Sequence, residues 1–110
     1  MQDVLARSGV ELARNLRRLC ENETQRDGVV AKNGHLALIA LLYAGADSKT
    51  TEHALRALLK LSFHVAASSA SLVQAGAADP TVALLRTAPT PSNETVVKNA
   101  AILASNLASA

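Results

Sequence analysis

Apolar residues recur along three stretches of this chain at the spacing of an α-helix. The stretches read ELARNLRRLC from Glu11, HALRALLKLS from His53 and NAAILASNLA from Asn99, 42 and 46 residues apart. In each stretch, the positions i, i+4 and i+7 carry small or aliphatic side chains, which is typical of one buried helical stripe. The predicted stripes are Leu12, Leu16 and Leu19; Ala54, Leu58 and Leu61; and Ala100, Ala104 and Leu107.

The segments between these stretches also align with one another. VVAKNG, ending at Gly34, matches SLVQAG, ending at Gly76, 42 residues later. LIALL at 38–42 then matches TVALL at 81–85, and this offset of 43 places one extra residue around Asp79-Pro80. Each Gly predicts a tight corner, because Gly accepts a positive φ and lets two backbones approach. Each unit is therefore predicted to contain a short helix, a Gly corner, a medium helix, a loop and a longer helix.

Local signals predict where several helices begin. Ser8 and Glu11 have capping-box spacing ahead of the first long helix, and the residues before Ser8 either extend this helix or end an earlier one. Pro80 suits the first turn of a helix. Asn22 and Asn93 each open an NET triplet, the acceptor pattern for glycosylation, which we interpret instead as loop chemistry near a helix start.

The repeated pattern resembles the armadillo family. The residues that carry the resemblance are SLVQAG followed by TVALL, and AAILASNLAS, with VVAKNG, LIALL and ALRALLKLS as weaker matches. It implies an all-α, right-handed α-solenoid of stacked three-helix repeats, in which residues 1–22 form a third-type helix and 23–62 and 63–110 form two repeats. HEAT repeats are the nearest alternative, but the short helix set off by Gly favours armadillo. Such units bury their faces by stacking, so we expect a piece of a longer array, or a small domain whose ends meet a partner or another copy.

One further column of the three long helices faces away from the predicted stripe. At 100° per residue, Arg56 and Lys60 point about 160–200° from Leu58. In the resembled family this column lines the concave surface, where an Asn ladder holds the backbone of a bound peptide and Trp stands four residues earlier. Asn106 matches that pattern, and the other positions depart from it. The candidate groove residues are Arg14, Arg18, Arg56, Lys60, Ile102 and Asn106, flanked by Arg17 and His53.

Four basic residues in matched columns indicate a groove for an extended acidic or phosphorylated protein segment, because Arg holds carboxylate or phosphate with two donors. The simpler interpretation is an ordinary solvated helix face. Two other functions stay open: binding of nucleic acid or an anionic lipid through the same stripe, and a purely architectural role in which open repeat ends self-associate.

Composition narrows these choices. The 110 residues suffice for one domain, and only 2% are aromatic, so Leu, Val and Ala must fill its core. The net charge of +2 is small for a nucleic-acid binder. Cys20 is the only cysteine and the first residues lack a secretory pattern, which predicts an intracellular protein of the cytoplasm or nucleus.

No motif for chemistry stands out in the sequence. The glycines form no phosphate-binding loop, and Cys20, His35, His53 and His64 have no compact metal-ligand spacing. The longest apolar run, at 36–46, is shorter than the roughly 20 residues that span a bilayer. We therefore expect no catalytic residues, no cofactor, no metal site and no transmembrane segment.

Overall fold

Seven α-helices make up the part of the chain that the computed structural model describes, which is residues 2–44, 48–64, 66–87, 90–91 and 93–108. Those ranges contain no strand, so the all-α prediction is confirmed. The helices are α1 Gln2–Glu21, α2 Glu23–Ala31, α3 Gly34–Tyr43, α4 Ser48–His64, α5 Ala66–Gln74, α6 Ala78–Leu85 and α7 Glu94–Ala108. After α1, two shorter helices followed by a longer one occur twice, but the predicted difference between a short and a medium helix does not, since α5 has nine residues and α6 has eight.

Two asparagines mark helix starts as expected. Asn22 has extended backbone angles, and its side-chain oxygen accepts the backbone N–H of Thr24 at 3.0 Å, which caps α2. The carbonyl of Asn93 accepts the backbone N–H of Val97 at 2.9 Å, at the start of α7. Pro80 lies in the first turn of α6, where its missing N–H costs no helical hydrogen bond.

The capping-box prediction at Ser8 is wrong. Helix α1 begins at Gln2 and continues through Ser8 without a break. The preceding residues extend this helix, so Ser8 does not occupy a cap position, and the spacing to Glu11 is coincidental.

The left-handed residues at the two corners do not pair in the way that the alignment of Gly34 with Gly76 predicts. Asn33 has φ 62° and Gly76 has φ 90°, so the left-handed residues are 43 apart rather than 42. Val29 and Leu72, also 43 apart, are both buried. The extra residue of the second unit therefore lies before its corner, not around Asp79-Pro80. Gly34 is the first residue of α3 and instead permits the close approach that was predicted for it.

Helix α4 occupies the centre of the packing. It contacts α1 and α7, and it also contacts α3 and α5. Helix α3 packs in addition on α1 and α6, and α6 packs on α7. The fully buried residues of α4 are Ala54, Leu55, Ala57, Leu58 and Leu61. The radius of gyration, 12.9 Å, matches the roughly 13 Å expected of a compact domain of this length.

The predicted stripes succeed in two of the three long helices. Ala54, Leu58 and Leu61 of α4 are all fully buried. In α7, Ala100 and Leu107 are buried and Ala104 is half-buried. Leu103 of α7 is also fully buried, and the predicted stripe missed it.

In α1 the predicted stripe is wrong. Leu12 and Leu19 are 43% and 44% exposed, whereas Ala13 and Cys20 are fully buried. The covered face is therefore rotated by one residue from the predicted stripe, and the two residues that it buries are small. No helix in the described ranges is long and apolar enough to cross a membrane.

Candidate binding groove

A surface depression of about 320 Å³ crosses all three long helices. We call it the central groove. Helix α1 contributes two of its side chains, α4 contributes three and α7 contributes one. Its lining residues are Arg17, Glu21, Arg56, Leu59, Lys60 and Asn99.

The part of the central groove on α4 agrees with the sequence prediction. Arg56 and Lys60 are one helical turn apart and both exposed, on the side of α4 opposite its buried residues. Leu59 lies between them and is half-buried, so the groove has an aliphatic surface next to its charges.

The part on α1 differs from the prediction. Arg17, expected only to flank the groove, lines it together with Glu21. Arg18 is exposed and lines a separate depression with Asn15, Leu19, Asn22 and Gln25. The reason is again the rotation of α1: Arg17 lies three residues before the buried Cys20, which brings it towards α4, whereas Arg18 turns away.

The residues that α7 contributes to the central groove also differ from the prediction. Asn99 lines the central groove, and neither Ile102 nor Asn106 does. Ile102 is exposed. The side-chain amide of Asn106 donates to Ser62 Oγ of α4 at 2.9 Å, and that hydroxyl donates to the carbonyl of Leu59 at 2.6 Å. Asn106 therefore joins α7 to α4 through a hydrogen bond between their side chains.

Two of the three cations in the central groove already have a carboxylate nearby. Arg17 Nε lies 3.8 Å from Glu21 Oε1, and Arg56 Nε lies 3.9 Å from Glu52 Oε1. Both distances are long for a charge-assisted hydrogen bond, and both pairs are partly exposed, so each is weak. Among the side chains that the structure describes, no carboxylate lies within ion-pair distance of Lys60.

His53 lies next to this cluster of positive charges. Burial lowers its pKa, and the charges of Arg17, Arg14 and Arg56 lower it further, against a smaller opposing effect of Glu52. Its Nδ1 atom is buried without a hydrogen-bond partner in the described part of the chain. Arg14, half-buried, thus lies close enough to His53 to act on its charge, although it does not line the central groove. A lowered pKa favours the neutral form of His53, which does not add to the positive charge.

The chain matches no known protein-family model, no curated protein and no solved structure. The assignment of a function therefore depends on the residues of the chain itself.

Cys20 has none of the properties of a reactive thiol. It is fully buried, and burial raises its pKa to about 11 although the charge of Arg26 acts in the opposite direction. The Nε of Arg26 donates to the backbone carbonyl of Cys20 at 2.6 Å, which ties α2 to the end of α1. A protonated and inaccessible thiol is a packing residue rather than a nucleophile. The described residues hold no group of three His, Cys, Asp or Glu side chains that would bind a metal.

Proposed function

We propose that this chain is a non-catalytic protein-interaction module, an armadillo-like solenoid that binds an extended acidic or phosphorylated segment in its central groove. The observation that carries the proposal is the meeting of Arg17, Arg56 and Lys60, from two different helices, around one depression. Such a groove offers several cationic donors to one ligand.

The burial of matched positions supports the stacked-repeat part of the proposal. Ala54 and Ala100, 46 residues apart, are both fully buried, and so are Ala57 and Leu103 at the same spacing. The same helix order and the same left-handed corner also occur twice. Two units with a similar internal pattern, packed side by side through α4 and α7, support a stacked-repeat arrangement.

The weak internal ion pairs favour an anionic ligand. A carboxylate or phosphate that entered the central groove would compete for Arg17 and Arg56 with partners that are already 3.8 and 3.9 Å away. Lys60 would bind the same ligand without first losing a carboxylate. Asn99 adds a side-chain amide at the α7 edge, where it can hydrogen-bond the backbone of an extended segment. We assign to Asn99 the backbone-holding role that the resemblance gives to Asn106.

Fluorescence anisotropy with three labelled peptides of one length tests this assignment. One peptide carries Glu at alternate positions, the second carries phosphoserine there and the third carries Gln. We expect the two anionic peptides to bind and the Gln peptide not to bind. Each exposed charge contact contributes ~0.2–1 kcal/mol. Two lost contacts amount to ~0.4–2 kcal/mol, so the double variant Arg56→Glu, Lys60→Glu should weaken binding about two- to thirtyfold.

A matched control reverses two cations outside the central groove. Lys32 follows α2 and Arg86 follows α6, and neither lines the groove. The variant Lys32→Glu, Arg86→Glu has the same net charge as the groove variant and should retain the affinity of the unmodified chain. Equal losses in both variants would show only long-range attraction and would refute a defined groove.

Parallel titrations with single-stranded RNA and with phosphatidylserine vesicles test the other anionic ligands. Only 2% of the residues are aromatic, which disfavours the stacking of single-stranded bases, and the net charge of +2 is small for an anionic surface. We therefore expect both titrations to be flat at physiological salt. Binding of either one that exceeds peptide binding, and that is lost in the groove variant, would replace the protein segment as the ligand.

A further inference from the structure

His53 lies on the same stripe of α4 as the two cations that this helix contributes to the central groove. Arg56 follows it by three residues and Lys60 by seven, which is the spacing of one helical face. The residue is half-buried, and its Nδ1 atom has no hydrogen-bond partner in the described part of the chain. No hydrogen bond at Nδ1 therefore fixes the ring in one protonation state.

The charges that act on His53 come from two helices. Helix α1 contributes Arg14 and Arg17, and α4 contributes Arg56 together with the opposing carboxylate of Glu52. Burial has the largest influence and lowers the pKa of His53, and the three arginines lower it further. A proton on this ring would add a fourth positive charge to three that are already present.

Helices α2, α3, α5 and α7 also pack on α4, and among their described residues none contributes a charge that acts on His53. Helix α5 carries no ionisable side chain. The ionisable residues of the other three helices are Glu23, Arg26 and Asp27 of α2, His35 and Tyr43 of α3, and Glu94 and Lys98 of α7. The environment of His53 is thus the same cationic cluster that borders the central groove.

A carboxylate bound between Arg17 and Arg56 would place a negative charge against this cluster. It would offset the repulsion that the arginines exert on a protonated His53, so binding and protonation should favour each other. Such coupling is reciprocal: whatever the ligand does to the affinity for the proton, the proton does to the affinity for the ligand.

We propose that protonation of His53 strengthens the binding of an acidic segment in the central groove, so that the groove holds its ligand more tightly as the pH falls. This regulation presupposes the acidic ligand proposed above and adds pH as the variable that controls its affinity. Histidine suits the role because its charge changes between about pH 5 and 8.

Fluorescence anisotropy with the Glu peptide, at constant ionic strength and at about pH 7.5, 6.5 and 5.5, measures the effect. Glu has an ordinary pKa of about 4.3 and stays ionised over this range, whereas phosphoserine, with a second pKa of about 6, would itself titrate. His53 does not line the groove, so we expect the ligand to raise its pKa by ~0.5–1, less than the ~1–3 of a direct ion pair. The Kd should then fall about two- to fivefold from pH 7.5 to 5.5.

His35 provides a matched control, because burial lowers its pKa too but it lies in α3 and does not line the central groove. His53→Gln should bind the Glu peptide at pH 7.5 as the unmodified chain does and should lose the pH dependence, whereas His35→Gln should keep it. Circular dichroism at each pH checks that both variants are folded. NMR titration of the histidine ring protons in the unmodified chain needs no variant, and there the peptide should raise the pKa of His53 and leave that of His35 unchanged.

Two kinds of failure are distinguishable. Equal affinity at all three pH values, a pH dependence that persists in His53→Gln, or a pKa of His53 that the peptide does not raise would each overturn the regulation and leave the central groove as a binding site. Absence of binding at every pH would overturn the groove itself, and the regulation with it.

Discussion

Gly34 is a position where one added methyl group should be costly. It begins α3 directly after the left-handed Asn33. A Cβ atom at Gly34 would lie 2.7 Å from Val29 Cγ1 and 3.0 Å from the carbonyl oxygen of Val29. It would also lie 3.4 Å from Leu16 Cδ2. We predict that Gly34→Ala lowers the free energy of unfolding.

The size of this loss depends on how the side chain of Val29 must move to make room for the added methyl group. Val29 is buried in α2, and a β-branched side chain in a helix has one strongly preferred χ1 rotamer. Moving Val29 out of its rotamer well costs ~0.5–1.5 kcal/mol, and overpacking costs typically ~1–3 kcal/mol. Alanine returns ~0.5–1 kcal/mol through the lower backbone entropy of the unfolded chain. The net loss should be about 1–2 kcal/mol.

Gly28 provides a matched control six residues earlier. It lies inside α2, and a Cβ atom there would meet nothing within 4 Å. Gly28→Ala should therefore stabilise the protein by ~0.5–1 kcal/mol, as expected for an unobstructed helical site. The same chemical change thus has opposite signs at two nearby positions, and the variants should differ by roughly 1.5–3 kcal/mol.

Urea unfolding followed by circular dichroism measures this difference from the midpoints, provided that the slopes m agree. For a domain of this length, 1 kcal/mol corresponds to about 4 °C in Tm. The two variants should then melt roughly 6–12 °C apart. A Gly34→Ala protein as stable as Gly28→Ala would refute the reasoning, because it would show that the corner relaxes without cost.

Two further predictions concern a hydrogen bond and two histidines. Asn106→Ala should lower the free energy of unfolding by ~0.5–1.5 kcal/mol, because it removes the hydrogen bond to Ser62. Asn15→Ala, on the exposed face of α1, is the control and should not lower it. Equal urea midpoints for the two variants would contradict this prediction. Burial lowers the pKa of His35 and of His53, so below about pH 6.5 the unfolded chain takes up protons that the folded chain does not. The contribution of the two histidines to the free energy of unfolding is therefore fully present above that pH and should fall on acidification. His53→Gln should reduce the slope of the urea midpoint against pH. An unchanged slope would contradict the role of His53.

The order of helices was predictable because it depends on local signals. The 3.6-residue periodicity, Asn22, Pro80 and Gly76 each act within one or two turns of the chain. The buried positions of α4 were predictable for a different reason. Helices pack on both sides of α4, so almost any apolar stripe on it is covered.

The buried face of α1 shows what periodicity leaves undetermined. Leu12 and Leu19 have the same seven-residue separation as Ala13 and Cys20, so both pairs are compatible with an apolar stripe. The choice between them depends on which side of α1 the next unit covers. Close approach of α4 favours the smaller side chains, and hydrophobicity alone favours the leucines. The structure buries Ala13 and Cys20 and leaves the two leucines 43% and 44% exposed.

The residue of the first corner that pairs with Gly76 was also ambiguous, but the sequence contained the information to identify it. Aligning Gly34 with Gly76 assumed that only glycine takes the left-handed conformation, yet asparagine is among the residues that adopt it most readily. Asn33 pairs with Gly76 at the offset of 43 that LIALL and TVALL already showed. One constant offset would have placed the extra residue before the second corner.

The sequence predicted which residues of α4 line the central groove, but not which residues of α1 and α7 lie beside them. Arg56 and Lys60 share a face because they are one turn apart, which the sequence alone determines. Whether Arg17 or Arg18 lies opposite them depends on the rotation of α1, which is set by tertiary packing. Residue type alone does not determine the role of Asn106 either. The armadillo resemblance implies a ligand-holding role for Asn106, but its amide donates to Ser62. A ligand that displaced this hydrogen bond would have to replace it, whereas one that bound Asn99 would not. The α7 edge of the groove should therefore act through Asn99.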